Sequence, residues 1–176
     1  EDAGYLRAMD TDYARPLSPE EFAFRLSPEQ ADPNRLEFHL RTLDGDRLIG
    51  FVALHSVEWN NGAALLAVGI GEPEYRGKGY GTDALQLILR FAFQELNLFR
   101  VGLDVIATNT RAIHAYEKIG FQCEGRMRGA VMRDGCRTDR TFMGILRDEW
   151  SELQQGASIQ TSAPSPEQRK IGKEMS

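Results

Sequence analysis

Apolar positions along this chain switch between a period of two and a period of 3.6, and each switch marks an element. Leu36, Phe38 and Leu40 alternate with polar residues, which predicts a strand. Asp44-Gly45 is a hairpin signal, and Leu48 to Glu58 reads as the return strand. Asn60-Asn61-Gly62 is a second turn. Ala63 to Gly71 is largely apolar, the pattern of a strand central in its sheet. The period then lengthens. Leu85, Ile88, Leu89, Ala92 and Leu96 fall on one helical stripe, with Asp83, Gln86, Arg90 and Gln94 on the wet side. Val101, Leu103 and Val105 alternate as another strand. Asn109 or Thr110 caps a short helix carrying Ala112, Ile113, Tyr116 and Ile119, and Gly120 stands where a C-terminal cap belongs. Phe121 to Met132, the turn Asp134-Gly135, and Arg137 to Leu146 predict a last hairpin. Trp150 and Leu153 add a final packed turn.

The flanks are less periodic. Glu1 to Met9 reads as the opening of a helix, and a short helix is expected from Pro19 to Leu26, among the breaks at Pro16, Pro28 and Pro33. After Gly156 the chain turns polar. The expected organisation is one domain over 1–155 and a tail over 156–176 with little fold of its own. The strand–loop–helix–strand piece is a right-handed crossover, so its two strands should be parallel. Hairpins on either side make the sheet mixed. The fold class is therefore α/β.

Composition narrows the function classes. At 176 residues the chain can bury a core without disulfides or metal. A net charge of −5 argues against gripping nucleic acid as the main task. No apolar run reaches the length of a membrane span, and no secretory signal is visible, so a cytoplasmic protein is expected. Cys123 and Cys136 lie on opposite hairpin arms but out of register, and read as reduced thiols. His39, His55 and His114 lack ligand spacing, so no metal is expected. Arg126, Arg128, Arg133, Arg137 and Arg140 make a basic hairpin, either a solvated face or a surface steering an acidic partner.

The chemistry is concentrated in Arg76-Gly77-Lys78-Gly79-Tyr80-Gly81, with Thr82 and a helix directly behind. Glycines leave backbone N–H groups unobstructed, and the helix adds the positive end of its dipole, so the segment suits phosphate. Spacing then sorts the phosphates. A nucleoside-triphosphate loop needs four residues between its first glycine and Gly-Lys, then Ser or Thr; here Gly71 stands one residue too far away and Gly79 replaces the hydroxyl. A dinucleotide loop needs G-x-G-x-x-G, and this is G-x-G-x-G. A plain tight turn is the bland alternative.

Arg76, Gly79 and Gly81 also form an Arg-x-x-Gly-x-Gly pattern. About thirty residues on comes a second segment, Asn109-Thr110-Arg111-Ala112-Ile113-His114-Ala115-Tyr116-Glu117-Lys118-Ile119-Gly120-Phe121. The two segments in this order resemble the signatures of the GNAT superfamily, coenzyme A-dependent N-acetyltransferases. With Asp134-Gly135, Asp139 and Met143, the chain looks like the branch holding ribosomal-protein N-terminal and spermidine acetyltransferases. The resemblance covers roughly 36 to 150. It implies a mixed central sheet with flanking helices and a splayed parallel strand pair. The family's first strand is expected to be absent from this sequence, which starts inside what looks like the first helix.

The resemblance also implies parts for named residues. Acetyl-CoA would be the co-substrate and a primary amine the acceptor: a protein N-terminus, a polyamine or a small amino compound. Backbone amides of Gly77, Lys78, Gly79, Tyr80, Gly81 and Thr82 would hold the pyrophosphate, with added charge from Arg76 and Lys78. Gly69, Ile70 and Gly71 would run beside the pantetheine arm, and Asn109 would bond to it, unless Asn109 is simply a helix cap. Tyr116 would be the general acid, although its spacing also suits a core aromatic. Relatives often place a Glu about ten residues before the Arg, where this chain has Leu65 and Leu66. Glu72, Glu58 and Asp104 are the substitute bases, and a non-catalytic acyl-CoA-binding protein is the rival reading. A homodimer is expected, with no nucleic-acid or membrane partner.

Overall fold

The computed structural model describes Ser18, Glu20 and residues 32–161. The helix expected over 1–9, the one expected over 19–26 apart from Glu20, and the tail beyond 161 lie outside the described residues. The elements follow in the order β1 (Leu36–Arg41), β2 (Leu48–Glu58), β3 (Ala63–Ile70), a short 3-10 turn (Pro73–Tyr75), α1 (Tyr80–Arg90), β4 (Arg100–Ile106), α2 (Thr110–Ile119), β5 (Gln122–Arg133), β6 (Cys136–Leu146) and α3 (Arg147–Thr161). Among the described residues no helix is long and apolar enough to cross a membrane.

Among the described residues, six strands form one mixed sheet in the order β1-β2-β3-β4-β6-β5. The predicted turns deliver the register. Gly45 and Gly62 take φ values of 78° and 61°, and β2 pairs antiparallel with both neighbours. Leu54, Leu66, Val101, Leu103 and Ile145 are buried in the same core as Leu85, Ile88 and Leu89 of α1. At about 25 cal/mol per Å² of apolar surface, each fully buried leucine contributes roughly 2 kcal/mol.

The crossover supplies the feature that matters. β3 and β4 are parallel, as expected, but pair only from Ala63↔Arg100 to Leu65↔Gly102. Beyond that point β3 runs on to Ile70 beside β2, and β4 runs on to Ile106 beside β6. The two strands part, and a wedge opens in the middle of the sheet.

Two details escape the periodic reading. First, α1 continues through a wider π turn at Phe91–Glu95, where Leu96 N–H donates to the Phe91 carbonyl at 3.0 Å. The extra residue buries both Ala92 and Phe93, and brings Phe93 against Trp150, ring centroids 5.5 Å apart. Second, the packed turn expected at Trp150 and Leu153 is the start of the longer helix α3, which passes through Gly156 to Thr161. Glu149 starts it by accepting from Leu146 N–H at 2.9 Å. Leu153, half exposed, lies over Gly120, where an added Cβ would meet its Cδ1 at 2.4 Å. Gly120 takes φ 111° as the cap of α2, and that backbone conformation, more than the contact with the movable end of Leu153, is what requires glycine.

Candidate functional site

The glycine segment leaves β3, passes the 3-10 turn and enters α1 with Gly79 as N-cap at φ 92° and Gly77 at φ 73°. A Cβ at either glycine would meet nothing within 4 Å, so the loop faces open space. The amides of Gly77 through Thr82 have no hydrogen-bond acceptor among the described residues. Six N–H groups at the head of an 11-residue helix are therefore left without a partner among the described residues. This is the arrangement that holds an anion of two or more oxygens.

The loop's cationic side chains do something else. Arg76 Nε donates to the carbonyl of Ile70 at 3.1 Å, and its Nη2 to that of Gly71 at 2.5 Å. Lys78 Nζ lies 5.9 Å from the Tyr75 ring centroid, and the Arg47 guanidinium lies 5.5 Å from the same ring. Both loop cations thus meet the protein's own groups around the start of the loop.

Parity along β3 decides which backbone groups face the wedge. Gly71 N–H donates to Ile49 of β2 at 2.9 Å. Peptide groups alternate along a strand, so Gly69 and Gly71 turn toward β2 while Val68 and Ile70 turn toward the gap left by β4. Sequence reasoning named Gly69, Ile70 and Gly71 and missed Val68, because parity follows from register.

The opposite wall is α2. Asn109 caps it, its Oδ1 accepting from Ala112 N–H at 3.2 Å. Tyr116 is half-buried, packs against the core and sets its ring edge-on to Phe121 at 5.9 Å. Loop, wedge and helix enclose a cavity of about 410 Å³. Of the residues expected at the site, Gly69, Ile70, Arg76, Gly77, Gly79, Gly81, Thr82, Asp104, Asn109 and Tyr116 line it. Gly71, Lys78, Tyr80 and Glu72 do not. The cavity also has Val68, Arg111, Ala115 and Lys118 in its wall, none of which the sequence had suggested.

The acidic candidates separate cleanly. Glu72 is ion-paired to Arg47 at 3.3 Å, outside the cavity. Glu58 accepts from Asn61 Nδ2 at 2.5 Å, at the far end of β2. Asp104 lies on β4 beyond the parting of the strands and lines the cavity. Its Oδ2 is 3.6 Å from Arg140 Nε, an ionic contact too long for a hydrogen bond, and that nitrogen is buried without a hydrogen-bond partner. Leu66 is buried, and Leu65 is 39% exposed on the sheet face of Asp104, so no carboxylate stands at the positions where the resemblance led one to expect it.

His55 pairs in register with Leu65, which pairs with Gly102, so its side chain shares the face of Asp104. Burial holds the imidazole pKa below its ordinary value of 6.5, and the charge of Arg35 acts in the same direction. Asp104 acts in the opposite sense. No local pattern connects these two residues, which lie two strands apart.

Comparison with known proteins agrees with the geometry. A family model described as the acetyltransferase (GNAT) domain matches residues 2–122. An uncharacterized SPbeta prophage-derived N-acetyltransferase of Bacillus subtilis, YokL, is 31% identical over 121 residues, which is 68% of this chain and 67% of that protein. A putative ribosomal N-acetyltransferase of the same organism, YdaF, is 33% identical over 122 residues, 69% of this chain and 65% of that protein. The matched segment spans about two thirds of the length of these relatives. A dodecameric structure of spermidine N-acetyltransferase from Vibrio cholerae superposes with a TM-score of 0.63 at 29% identity, covering 68% of each chain. The splayed strands, the unpartnered amides before α1 and the match over most of the chain converge: the protein belongs to the GNAT acetyltransferase family.

Proposed function

We propose that this protein transfers an acetyl group from acetyl-CoA to a primary amine, which is a protein N-terminus, a polyamine or a small amino compound. The observation that carries the proposal is that Gly77, Gly79, Gly81 and Thr82, whose amides have no partner among the described residues, line one cavity with Tyr116 at the parting of β3 and β4. Family membership supports it. Two of the similar proteins are named for ribosomal and spermidine substrates, which lie within this acceptor range.

The donor supplies an acyl carbon activated as a thioester and a pyrophosphate by which it can be held. The amides of Gly77 to Thr82 hold that pyrophosphate. Val68 and Ile70 present peptide groups to the pantetheine arm, and Asn109 adds a side-chain contact at the head of α2. An alkylamine of pKa near 10 is about a thousandth neutral at pH 7, a cost of roughly 4 kcal/mol unless a base takes the proton. Asp104 is the carboxylate in the cavity wall and accepts that proton, directly or through water. As the N–C bond forms and the C–S bond breaks, Tyr116 protonates the departing sulfur. A phenol near pKa 10 giving its proton to a thiolate near 8.5 works uphill by about 2 kcal/mol, so the transfer must be concerted with bond breaking.

The test pairs calorimetric titration of acetyl-CoA with thiol release over a panel of peptide, polyamine and small amines. Binding together with turnover on one class supports the proposal. Binding with no turnover on any amine favours a non-catalytic acyl-CoA-binding protein, the reading that the leucines at 65 and 66 invite. No binding removes the donor.

A further inference from the structure

The transfer described above leaves Asp104 holding a proton, and the sheet carries a second base on the same face. His55, Leu65 and Gly102 form one cross-strand row through β2, β3 and β4. Asp104 stands two residues past Gly102 and so shares their face. The row spans about 10 Å, and Asp104 lies roughly 7 Å further along β4. A side chain at 102 would stand between them and press on Leu65 Cδ2, 3.3 Å from an added Cβ. Glycine leaves the space beside Leu65 to water, and Leu65 itself is 39% exposed. Asp104 is close enough to act on the charge of the imidazole.

The backbone sets the ring. A bulge follows His55, between the pairs His55↔Leu65 and Glu58↔Ala63, and Ser56 there takes φ 50°, a costly conformation for a residue with a Cβ. Ser56 Oγ comes to 3.2 Å from His55 Nδ1. With Nδ1–H donating to that hydroxyl, Nε2 keeps its lone pair, and Nε2 has no hydrogen-bond partner among the described residues. The other charges around the ring are engaged. Arg35, just before β1, donates to Glu37 at 3.1 Å, Asp32 accepts from Asn34 N–H at 2.8 Å, and Arg100 of β4 pairs with Glu124. Asp104, held by Arg140 only through a 3.6 Å ionic contact, is the group left to exchange a proton with the ring.

We infer that His55 is the second acceptor in a proton relay: the ammonium proton of the acceptor amine passes to the Asp104 carboxylate, then through bridging water to His55 Nε2, and from the imidazolium to solvent. The inference rests on the acetyl-CoA reading. The relay leaves the amine neutral for attack and returns Asp104 to its carboxylate and His55 to its neutral ring. His55 acts through Asp104 and does not need to touch the amine. Free imidazole titrates near about 6.5 and a free aspartate near about 4, so imidazole is the better match for a proton leaving an amine near about 10. Burial and Arg35 hold His55 below 6.5, so the ring is neutral at pH 7 and sheds the proton again to solvent.

The test begins without turnover. Nitrogen NMR of the unmodified protein reports the His55 tautomer, its signal being the one that His55→Gln removes. The Nδ1–H form is expected at neutral pH, and the Nε2–H form overturns the inference. Kinetics follow with an amine that releases thiol. His55→Gln should lower kcat roughly tenfold at pH 7, a smaller loss than removal of the direct base, with acetyl-CoA affinity unchanged. That loss should shrink as pH rises. Imidazole added to the buffer should restore rate to His55→Ala and not to Asp104→Asn. His55→Gln should cost nothing further in the Asp104→Asn background, because the proton reaches the ring through Asp104. An unchanged kcat in His55→Gln overturns the relay and leaves the acetyl-CoA reading standing. So does a loss that is the same at every pH and that imidazole does not rescue, which marks a structural role. If the unmodified protein releases thiol with no amine, the acetyl-CoA reading fails first and the relay with it.

Discussion

Arg76 is bonded to the strand it follows: its Nε donates to the carbonyl of Ile70 at 3.1 Å, and its Nη2 donates to that of Gly71 at 2.5 Å. The guanidinium fork folds the loop back over the end of β3 and fixes where the amides of Gly77 to Thr82 point. Lysine cannot span two carbonyls in this way. Arg76→Lys should therefore behave much like Arg76→Ala. Each should raise the acetyl-CoA dissociation constant about tenfold, the loss of roughly 1–2 kcal/mol of positioning bonds. The salt dependence of binding should stay that of the unmodified protein. A flattened salt dependence would show instead that the charge of Arg76 meets phosphate directly.

Tyr116 serves as both core aromatic and cavity wall, and Tyr116→Phe separates the two. Phenylalanine keeps the edge-on contact with Phe121 and the packing on the core, so the melting temperature should not move. Turnover should fall about 100-fold, the lower range for loss of a general acid, while acetyl-CoA affinity changes less than about twofold. Unchanged kcat would return Tyr116 to a purely structural role.

Gly79 and Gly81 look equivalent in the sequence and differ in the fold. Gly79 sits at φ 92°, which costs a β-branched residue about 1–3 kcal/mol of strain, although the space around it is open. Gly79→Val should turn the loop and weaken acetyl-CoA binding more than tenfold. Gly81 has ordinary φ, and an added Cβ would lie 3.9 Å from Ile70 Cγ1, a normal contact. Gly81→Ala should fold normally and bind within about threefold of the unmodified protein. Normal affinity in Gly79→Val would remove the phosphate role of the loop.

Asp104 is the carboxylate that the parting of the strands leaves in the cavity wall. Asp104→Asn keeps the shape and removes the proton acceptor. The expected result is a fall in kcat/KM of about 100-fold at pH 7, shrinking as pH rises and the amine loses its proton unaided. A pH-independent loss would assign Asp104 to positioning through Arg140, and no loss would leave water as the base.

The strands and both signature segments were legible because their signals are local. Asp44-Gly45 and Asn60-Asn61-Gly62 set the ends of β2, and Asn109 and Gly120 bracket α2 at the expected caps. The cavity was legible only in part. Val68 faces it because of a register set by β2, and Arg111 and Lys118 face it because α2 packs with Tyr116 inward. The π turn at Phe91 to Glu95 answers to the distant Trp150, which periodicity within one helix cannot report.

His55 gives the fold a dependence on mild acid. Burial and Arg35 lower its pKa below 6.5 in the folded protein, so protonation favours the unfolded chain. The contribution of neutral His55 to stability is complete above pH 6.5 and is lost as pH falls through the lowered folded value. The Arg100–Glu124 pair acts in a different window: hydrogen bonding to Arg100 lowers the Glu124 pKa below its ordinary 4.5, so its contribution fades only at lower pH. Melting temperatures between pH 7 and 5 should therefore decline, and His55→Gln should flatten that decline. Because Asp104 opposes the shift, Asp104→Asn should lower the His55 pKa further, which an imidazole proton NMR titration reads directly. Parallel melting curves for the unmodified protein and His55→Gln would show that the imidazole carries no charge penalty in the fold.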